Sequence, residues 1–383
     1  MNIKKFYLVI FMSMLIFTLS ACSEEPISTD TQELPEDTVA SSKTEENTGD
    51  TTTADSQIIS AKIHATSLEN NMIEEDIERE ISIYLPAGYA SSDKRYPVIY
   101  YLPGFETRDF IYLSHIGATL EEYDIDNIIA VAISGFNKIG GSFYTNSPAI
   151  GNWEDFITKD VIDYIDSNYR TIATSAGRGL AGHSMGGYGS ISIAFNNPGL
   201  FDYVYSMSPG LFDKDGLSQS PVEFDRIMQY EDMDDEAAKT EYRSYMDNPS
   251  WSYNFSLAYA SAFAYDVDAK APYVKLPAKN AQGEYLQDEI WDLYEAGYGN
   301  LSERLDTQGE NLKLLKKFAI EYGIHDNYTW IPKGCDYFST LLNEHDIPHE
   351  LIPFDGGHND QLNKRIEECM IPFFSEAFQN LEN

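Results

Sequence analysis

The sequence predicts an α/β domain with a mostly parallel central sheet, helices on both faces, and a helical insertion before the penultimate strand. Three observations predict it. Short unbroken apolar runs, Val98-Ile99-Tyr100-Tyr101-Leu102 and Ile128-Ile129-Ala130-Val131-Ala132-Ile133, suit strands buried on both faces. They alternate with helix-spaced segments, as in a parallel sheet with crossover helices. The pentapeptide Gly182-His183-Ser184-Met185-Gly186 reads G-x-S-x-G between the apolar run Gly179-Leu180-Ala181 and a helix-like stretch through Phe195. That is the context of a strand, a sharp turn and a helix with an exposed nucleophilic serine at the turn.

The chain begins with segments outside the fold. Lys4-Lys5 precedes an apolar run of 14 residues, Phe6 to Leu19, which is short for a membrane span and fits a secretory signal. Leu19-Ser20-Ala21-Cys22 follows and resembles the lipobox of bacterial lipoproteins. Residues 1–21 therefore read as a lipoprotein signal peptide and Cys22 as the lipidated residue. The expected location is the outer face of a bacterial cell membrane, with the lipid as the only membrane contact. Residues 22–57 read as a linker. From 23 to 57 there are ten acids against one base, Lys43, and almost no large apolar residues. Such a segment cannot bury enough surface to offset its ordering entropy.

The fold is expected over 58–383. The whole chain carries 62 acidic and 26 basic residues, a net charge of −36. This balance argues against nucleic acid as a partner and against electrostatic binding to anionic lipid. Ile58–His64 and Glu80–Leu85 read as edge strands. Apolar positions 153, 156, 157, 161, 162 and 165 follow helical spacing. Tyr203–Ser208, Phe318–Tyr322 and Glu350–Phe354 are the later strands. Between them, at about 210–311, lies an acidic and then aromatic stretch too long for a bare loop. It reads as a mostly helical insertion, a lid over the C-terminal edge of the sheet, where such folds bind ligands. Cys335 and Cys369 leave a disulfide open, with two buried thiols as the other reading. No CxxC or histidine cluster suggests a metal.

A serine hydroxyl needs a general base, and the base needs an orienting carboxylate. His358 follows the last strand in the loop Phe354-Asp355-Gly356-Gly357-His358-Asn359, whereas His325, His345 and His349 lack that combination of strand end and flexible glycines. Asp326 follows the penultimate strand and is the expected acid, with Asp336 and Asp355 in reserve. The oxyanion hole is expected from the amide of Met185, at the start of the elbow helix, and from Gly104 or Phe105 after the Val98–Leu102 strand. Tyr144 and Trp153 are candidates to line the cleft. This chemistry requires no cofactor.

Several segments together carry a family resemblance. They are Tyr96–Gly104, Phe143-Tyr144-Thr145-Asn146-Ser147, Arg178–Gly189, Asn197-Pro198-Gly199-Leu200-Phe201 and Gly356-Gly357-His358. Across residues 79–375 the chain resembles the esterase D family of α/β-hydrolases, which includes feruloyl and acetyl-xylan esterases, S-formylglutathione hydrolases, ferri-siderophore esterases and mycolyltransferases. It departs from the family pattern at Pro103-Gly104, where His-Gly is common, and in its longer insertion. The resemblance implies a serine carboxylic-ester hydrolase whose substrate is an acylated carbohydrate, with feruloyl or acetyl groups removed from plant polysaccharide. An acyltransferase on the same residues and a ferri-siderophore esterase are the alternatives. A ligand-binding lipoprotein without catalysis is a further reading, against which the intact Ser184, Asp326 and His358 set weighs. Oligomeric state stays open.

Overall fold

The computed structural model describes residues 55–107, 110–125, 127–247, 251–379 and 381. The expected signal peptide, the lipidated Cys22 and the linker up to residue 54 lie outside the described residues. Among the described residues, ten strands follow in chain order: β1 (Gln57–His64), β2 (Glu78–Leu85), β3 (Val98–Leu102), β4 (Ile129–Ala132), β5 (Asn146–Ser147), β6 (Gly151–Asn152), β7 (Arg178–His183), β8 (Tyr203–Met207), β9 (Lys317–Gly323) and β10 (Glu350–Phe354). Eight form one sheet in the order β1-β2-β4-β3-β7-β8-β9-β10, and β5 pairs with β6 in a small ribbon. Within the large sheet, every pairing along β4-β3-β7-β8-β9-β10 is parallel, and β1–β2 and β2–β4 are antiparallel; the β5–β6 ribbon is antiparallel too. This is the α/β-hydrolase arrangement.

Two boundaries differ from the sequence reading. The first strand opens at Gln57, inside the expected linker. β2 is not an edge strand, because β1 covers its outer side. Its alternation of Ile81, Ile83 and Leu85 suggested one exposed face. Ser82 and Tyr84 on the other face are buried as well. The helix Phe110–Glu122, which the sequence reading did not place, covers Tyr84 so closely that a Cβ on Gly117 would stand 2.7 Å from its ring.

Side chains of β3 alternate between two cores, as a pleated strand requires. Val98, Tyr100 and Leu102 join one apolar cluster, Ile99 and Tyr101 the other. The second cluster is closed by the helix Phe110–Glu122 and by Phe373, Phe374 and Phe378 of the C-terminal helix. The first holds the elbow helix Met185–Asn196 and most of the insertion. The insertion contains the helices Phe224–Met228, Asp235–Asp247, Trp251–Phe263, Glu289–Tyr298 and Leu301–Leu312. Its aromatic residues pack into the first core, so it is an integral wall and not a detached flap. Cys335 and Cys369 are free thiols. The first is buried and the second only half-buried, against the expectation of two buried thiols, because it sits on the outer part of the last helical segment.

One buried charge ties the C-terminus to the sheet. Glu321 on β9 is 1% exposed, and its carboxylate accepts hydrogen bonds from the Tyr205 hydroxyl and from Arg365 Nε. Burial pushes its carboxyl up, while Arg365 and Tyr205 pull it down. Breaking such a pair leaves an uncompensated charge. Arg365→Met should therefore cost about 3 kcal/mol at pH 8. A carboxyl raised in the folded state binds its proton more tightly there, so stability falls as pH climbs from the unfolded value of about 4.3 through the folded one. The loss should accordingly be smaller at pH 5. Urea unfolding at both pH values checks this, and equal losses would contradict a role based on charge.

Candidate active site

The chain passes from β3 to β4 on one side and returns as β7 on the other, which opens a crevice at the C-terminal ends of β3 and β7. Ser184 stands there, between β7 and the elbow helix, with φ 57° and ψ −113°. Positive φ is uncommon for a residue with a Cβ and marks a strained position. Glycines make the turn possible. A Cβ on Gly182 would lie 2.2 Å from the carbonyl oxygen of Gly186. One on Gly186 would lie 1.8 Å from the Leu102 carbonyl oxygen, so this glycine is required by the neighbouring strand and not by the turn itself.

Ser184, His358 and Asp326 come together from three separate loops. Ser184 Oγ lies 2.9 Å from His358 Nε2, and His358 Nδ1 lies 2.6 Å from Asp326 Oδ2. The side chains of His358 and Asp326 are 4% and 0% exposed. The second carboxylate oxygen of Asp326 accepts the Tyr328 amide at 2.8 Å. The ring of Tyr328 meets His358 edge to face, with centroids 4.9 Å apart. The acid and histidine loops also hold each other: Ile324 N donates to Phe354 O and His325 N to Gly356 O, both at 2.9 Å. Gly323 permits this crossing, since a Cβ there would stand 2.3 Å from Gly356 O.

The reserve acids are placed elsewhere. Asp336 lies on the helix Trp330–Glu344 and accepts from the Tyr322 hydroxyl. Asp355 is exposed and pairs with His325.

Of the expected oxyanion residues, Gly104 and Met185 adjoin Ser184, and Phe105 borders the same cavity. A Cβ on Gly104 would lie 3.4 Å from Ser184 Cβ, and Met185 opens the elbow helix. In the loop after β3, the amide of Glu106 donates to Gly140 O at 3.0 Å and that of Thr107 to Gly104 O at 3.2 Å. Those two amides of the loop are occupied.

Gly104, Phe105, Ser184, Met185 and His358 border a cavity of about 150 Å³. Its other walls include Phe255 and Tyr298 from the insertion, with Tyr328 and Trp330. Phe105 packs on Phe255 at 5.4 Å, and Phe143 meets Phe255 at 5.5 Å and Tyr298 at 5.7 Å.

Tyr144 and Trp153 do not line this cavity, contrary to the sequence reading. Both are fully buried. The Tyr144 hydroxyl donates to Pro103 O at 2.9 Å and accepts the Gly135 amide at 3.1 Å, so it props the loop after β3 from beneath. Trp153 points into the core, where Nε1 donates to Ile150 O at 2.8 Å and the Arg79 guanidinium covers its ring.

The sequence reading passed over His183. It is 3% exposed, and its ring centroid lies 4.7 Å from that of His358. Its place inside the pentapeptide was the available signal. Among the described residues, no group of three or more His, Cys, Asp or Glu is placed to hold a metal ion.

A sequence model of the esterase family, described as "Putative esterase", matches residues 74–270, just over half of the chain. The chain belongs to this esterase family. The match includes Ser184, Met185 and the oxyanion loop and ends before Asp326 and His358. An esterase of Mycobacterium tuberculosis is 33% identical over 133 residues, which are 33% of this chain and 28% of that protein. A diacylglycerol acyltransferase/mycolyltransferase of Mycobacterium leprae is 33% identical over 146 residues, 35% of this chain and 41% of that protein. The esterase chain thus spans well under half the length of these two relatives. Among solved structures, a ferulic acid esterase shares the fold with a TM-score of 0.55 at 16% identity, covering 85% of this chain and all of that one. An S-formylglutathione hydrolase from Agrobacterium tumefaciens shares it with a TM-score of 0.52 at 15% identity, covering 87% and 98%.

Burial, with His358 adding to it, pushes the His183 imidazole down to about 3. His183 should therefore remain neutral from pH 5 to 8, protonated only on Nε2, as nitrogen-detected NMR of the labelled protein checks. The unfolded ring, near 6.5, takes a proton that the folded ring refuses, so this residue should withdraw stability as pH falls below about 6.5. Titration of His183 between pH 5 and 8 would contradict the burial.

Proposed function

We propose that this esterase-family protein is a serine carboxylic-ester hydrolase working through Ser184, His358 and Asp326. The observation that carries the reading is the relay of 2.9 Å from serine to histidine and 2.6 Å from histidine to a buried carboxylate. Ser184 Oγ attacks the ester carbonyl carbon, and His358 Nε2 takes the hydroxyl proton. Asp326 holds the imidazole with Nδ1–H toward itself and favours the imidazolium that forms. The amides of Met185 and of Gly104 or Phe105 receive the oxyanion. The bond to the alcohol oxygen breaks, and His358 returns its proton to the leaving group. Water then repeats the sequence on the acyl-enzyme and releases the acid.

The walls formed by Phe105, Phe255, Tyr298 and Trp330 support a planar aromatic acyl group, so feruloyl is favoured over acetyl. Together with the family resemblance, this supports acylated plant polysaccharide as the substrate. A second reading has one specific observation in its favour, the similarity to the mycolyltransferase. In that case the acyl group passes to a sugar or lipid hydroxyl instead of water.

Ser184→Ala should lower turnover of methyl ferulate by roughly 10⁶-fold, and Asp326→Asn by roughly 10⁴-fold, with the fold retained. Comparison with p-nitrophenyl acetate and acetylated xylan reads the acyl preference. Activity unchanged in Ser184→Ala would end the serine mechanism. Product analysis with an added sugar acceptor separates free acid from transferred ester.

We further propose that lipid on Cys22 holds the enzyme at the outer face of a bacterial cell membrane, a reading supported by the lipobox-like Leu19-Ser20-Ala21-Cys22. Cys22→Ser should move it from the membrane to the soluble fraction. Membrane retention by that variant would refute the anchor.

A further inference from the structure

The hydrolytic reading makes no use of His183, the residue just before the nucleophile. Its ring is tilted 46° against that of His358. Nε2 lies 2.9 Å from the main-chain oxygen of His358. A carbonyl oxygen only accepts, so Nε2 carries the proton and donates it. Nδ1 then has no proton and faces the oxyanion loop, where a Cβ on Gly104 would stand 3.6 Å away.

The base sits in a loop that needs such an anchor. Gly356 and Gly357 precede it and bring no side chain to pack. Gly357 N donates to Asp360 Oδ1 at 2.7 Å, a contact within the same loop. Both ring nitrogens of His358 are engaged in the relay. On the side facing β7, the His183 ring packs against the imidazole and its Nε2 reaches the main chain. This bond comes from β7, the strand that also delivers Ser184. Nucleophile and base are thereby referred to one rigid element.

We propose that His183 is a positioning residue: its Nε2–H grips the main-chain carbonyl of His358 and sets the distance from the imidazole to Ser184 Oγ. The inference rests on the reading of Ser184 and His358 as nucleophile and base. A neutral donor suits the place. Lysine or arginine would also donate, but a cation this close would oppose the imidazolium that forms when His358 takes the serine proton. A buried imidazole supplies the donor without the charge.

Three variants of the full chain test this. His183→Gln places its amide nitrogen three bonds from Cβ, as Nε2 is in the imidazole. His183→Asn carries the same group at shorter reach, and His183→Phe keeps a ring without a donor. The measurements are kcat and KM on p-nitrophenyl acetate, Tm, and the proton NMR signal of the hydrogen between His358 Nδ1 and Asp326. Misplacing a catalytic group by about 1 Å costs on the order of 10²-fold. His183→Phe and His183→Asn should lose kcat to about that extent with KM within roughly 3-fold, and His183→Gln should recover to within roughly 5-fold of the parent. The shared proton signal should be sharp in the parent and in His183→Gln and broadened in the other two.

Full kcat in His183→Phe or His183→Asn overturns the proposal. So does an equal loss in His183→Gln at unchanged Tm. If His183→Phe does not fold, the Gln and Asn pair, alike in polarity and different in reach, decides. If the parent enzyme hydrolyses no ester, the hydrolytic reading fails by itself. The proton signal still tests the anchor, because it needs no turnover.

Discussion

Ser184 is held at φ 57°, a conformation that costs a serine of order 1–3 kcal/mol and persists only where its surroundings over-determine it. Here they do. Its amide donates to Met207 O at 2.9 Å, and its carbonyl accepts the amides of Tyr188 at 3.0 Å and Gly210 at 3.3 Å. Gly186 lies against Leu102 at the end of β3, and Gly187 against Met207 at the end of β8. The ends of β3, β7 and β8 thus converge on one turn, with backbone against backbone and no room for side chains. The loop after β3, the elbow helix and the entry to the insertion all meet at this close approach.

Around that turn the site is built from loops that restrain one another. The histidine loop is tied to the acid loop through Gly356 and to β7 through His183. Both oxygens of Asp326 are engaged, so its carboxylate cannot rotate without losing a buried bond. The loop after β3 is supported from beneath by the Tyr144 hydroxyl. From the side, Asn254 of the insertion donates to the Glu106 carboxylate at 2.6 Å. The insertion thus meets the loop after β3 through this bond and through the contact of Phe105 with Phe255.

The limits of the sequence reading are physical. Tyr144 and Trp153 carry aromatic rings near matching motifs, but ring and motif do not say which face of a segment meets the cleft. Tyr144 sits at φ 50° in a turn, which directs its hydroxyl beneath Pro103. β2 shows an alternating pattern, yet a strand placed outside it and a helix over it bury both sides. The partnership of Glu321 with Arg365 spans 44 residues and leaves no local signature.

What the sequence determined by itself lies where chemistry demands particular residue types at short spacing. Glycines around a serine, apolar runs without polar interruption, and a glycine-rich loop after the last strand are local constraints. They identified the parallel sheet, the elbow at Ser184 and the loops bearing Asp326 and His358. Tertiary structure alone decided which of these groups touch, since the relay joins positions 32 and 174 residues apart. It also decided which aromatics wall the cavity and which fill the core, and it placed His183 against the base. Those outcomes depend on how strand ends and loops pack in three dimensions, and no periodicity along the chain encodes that.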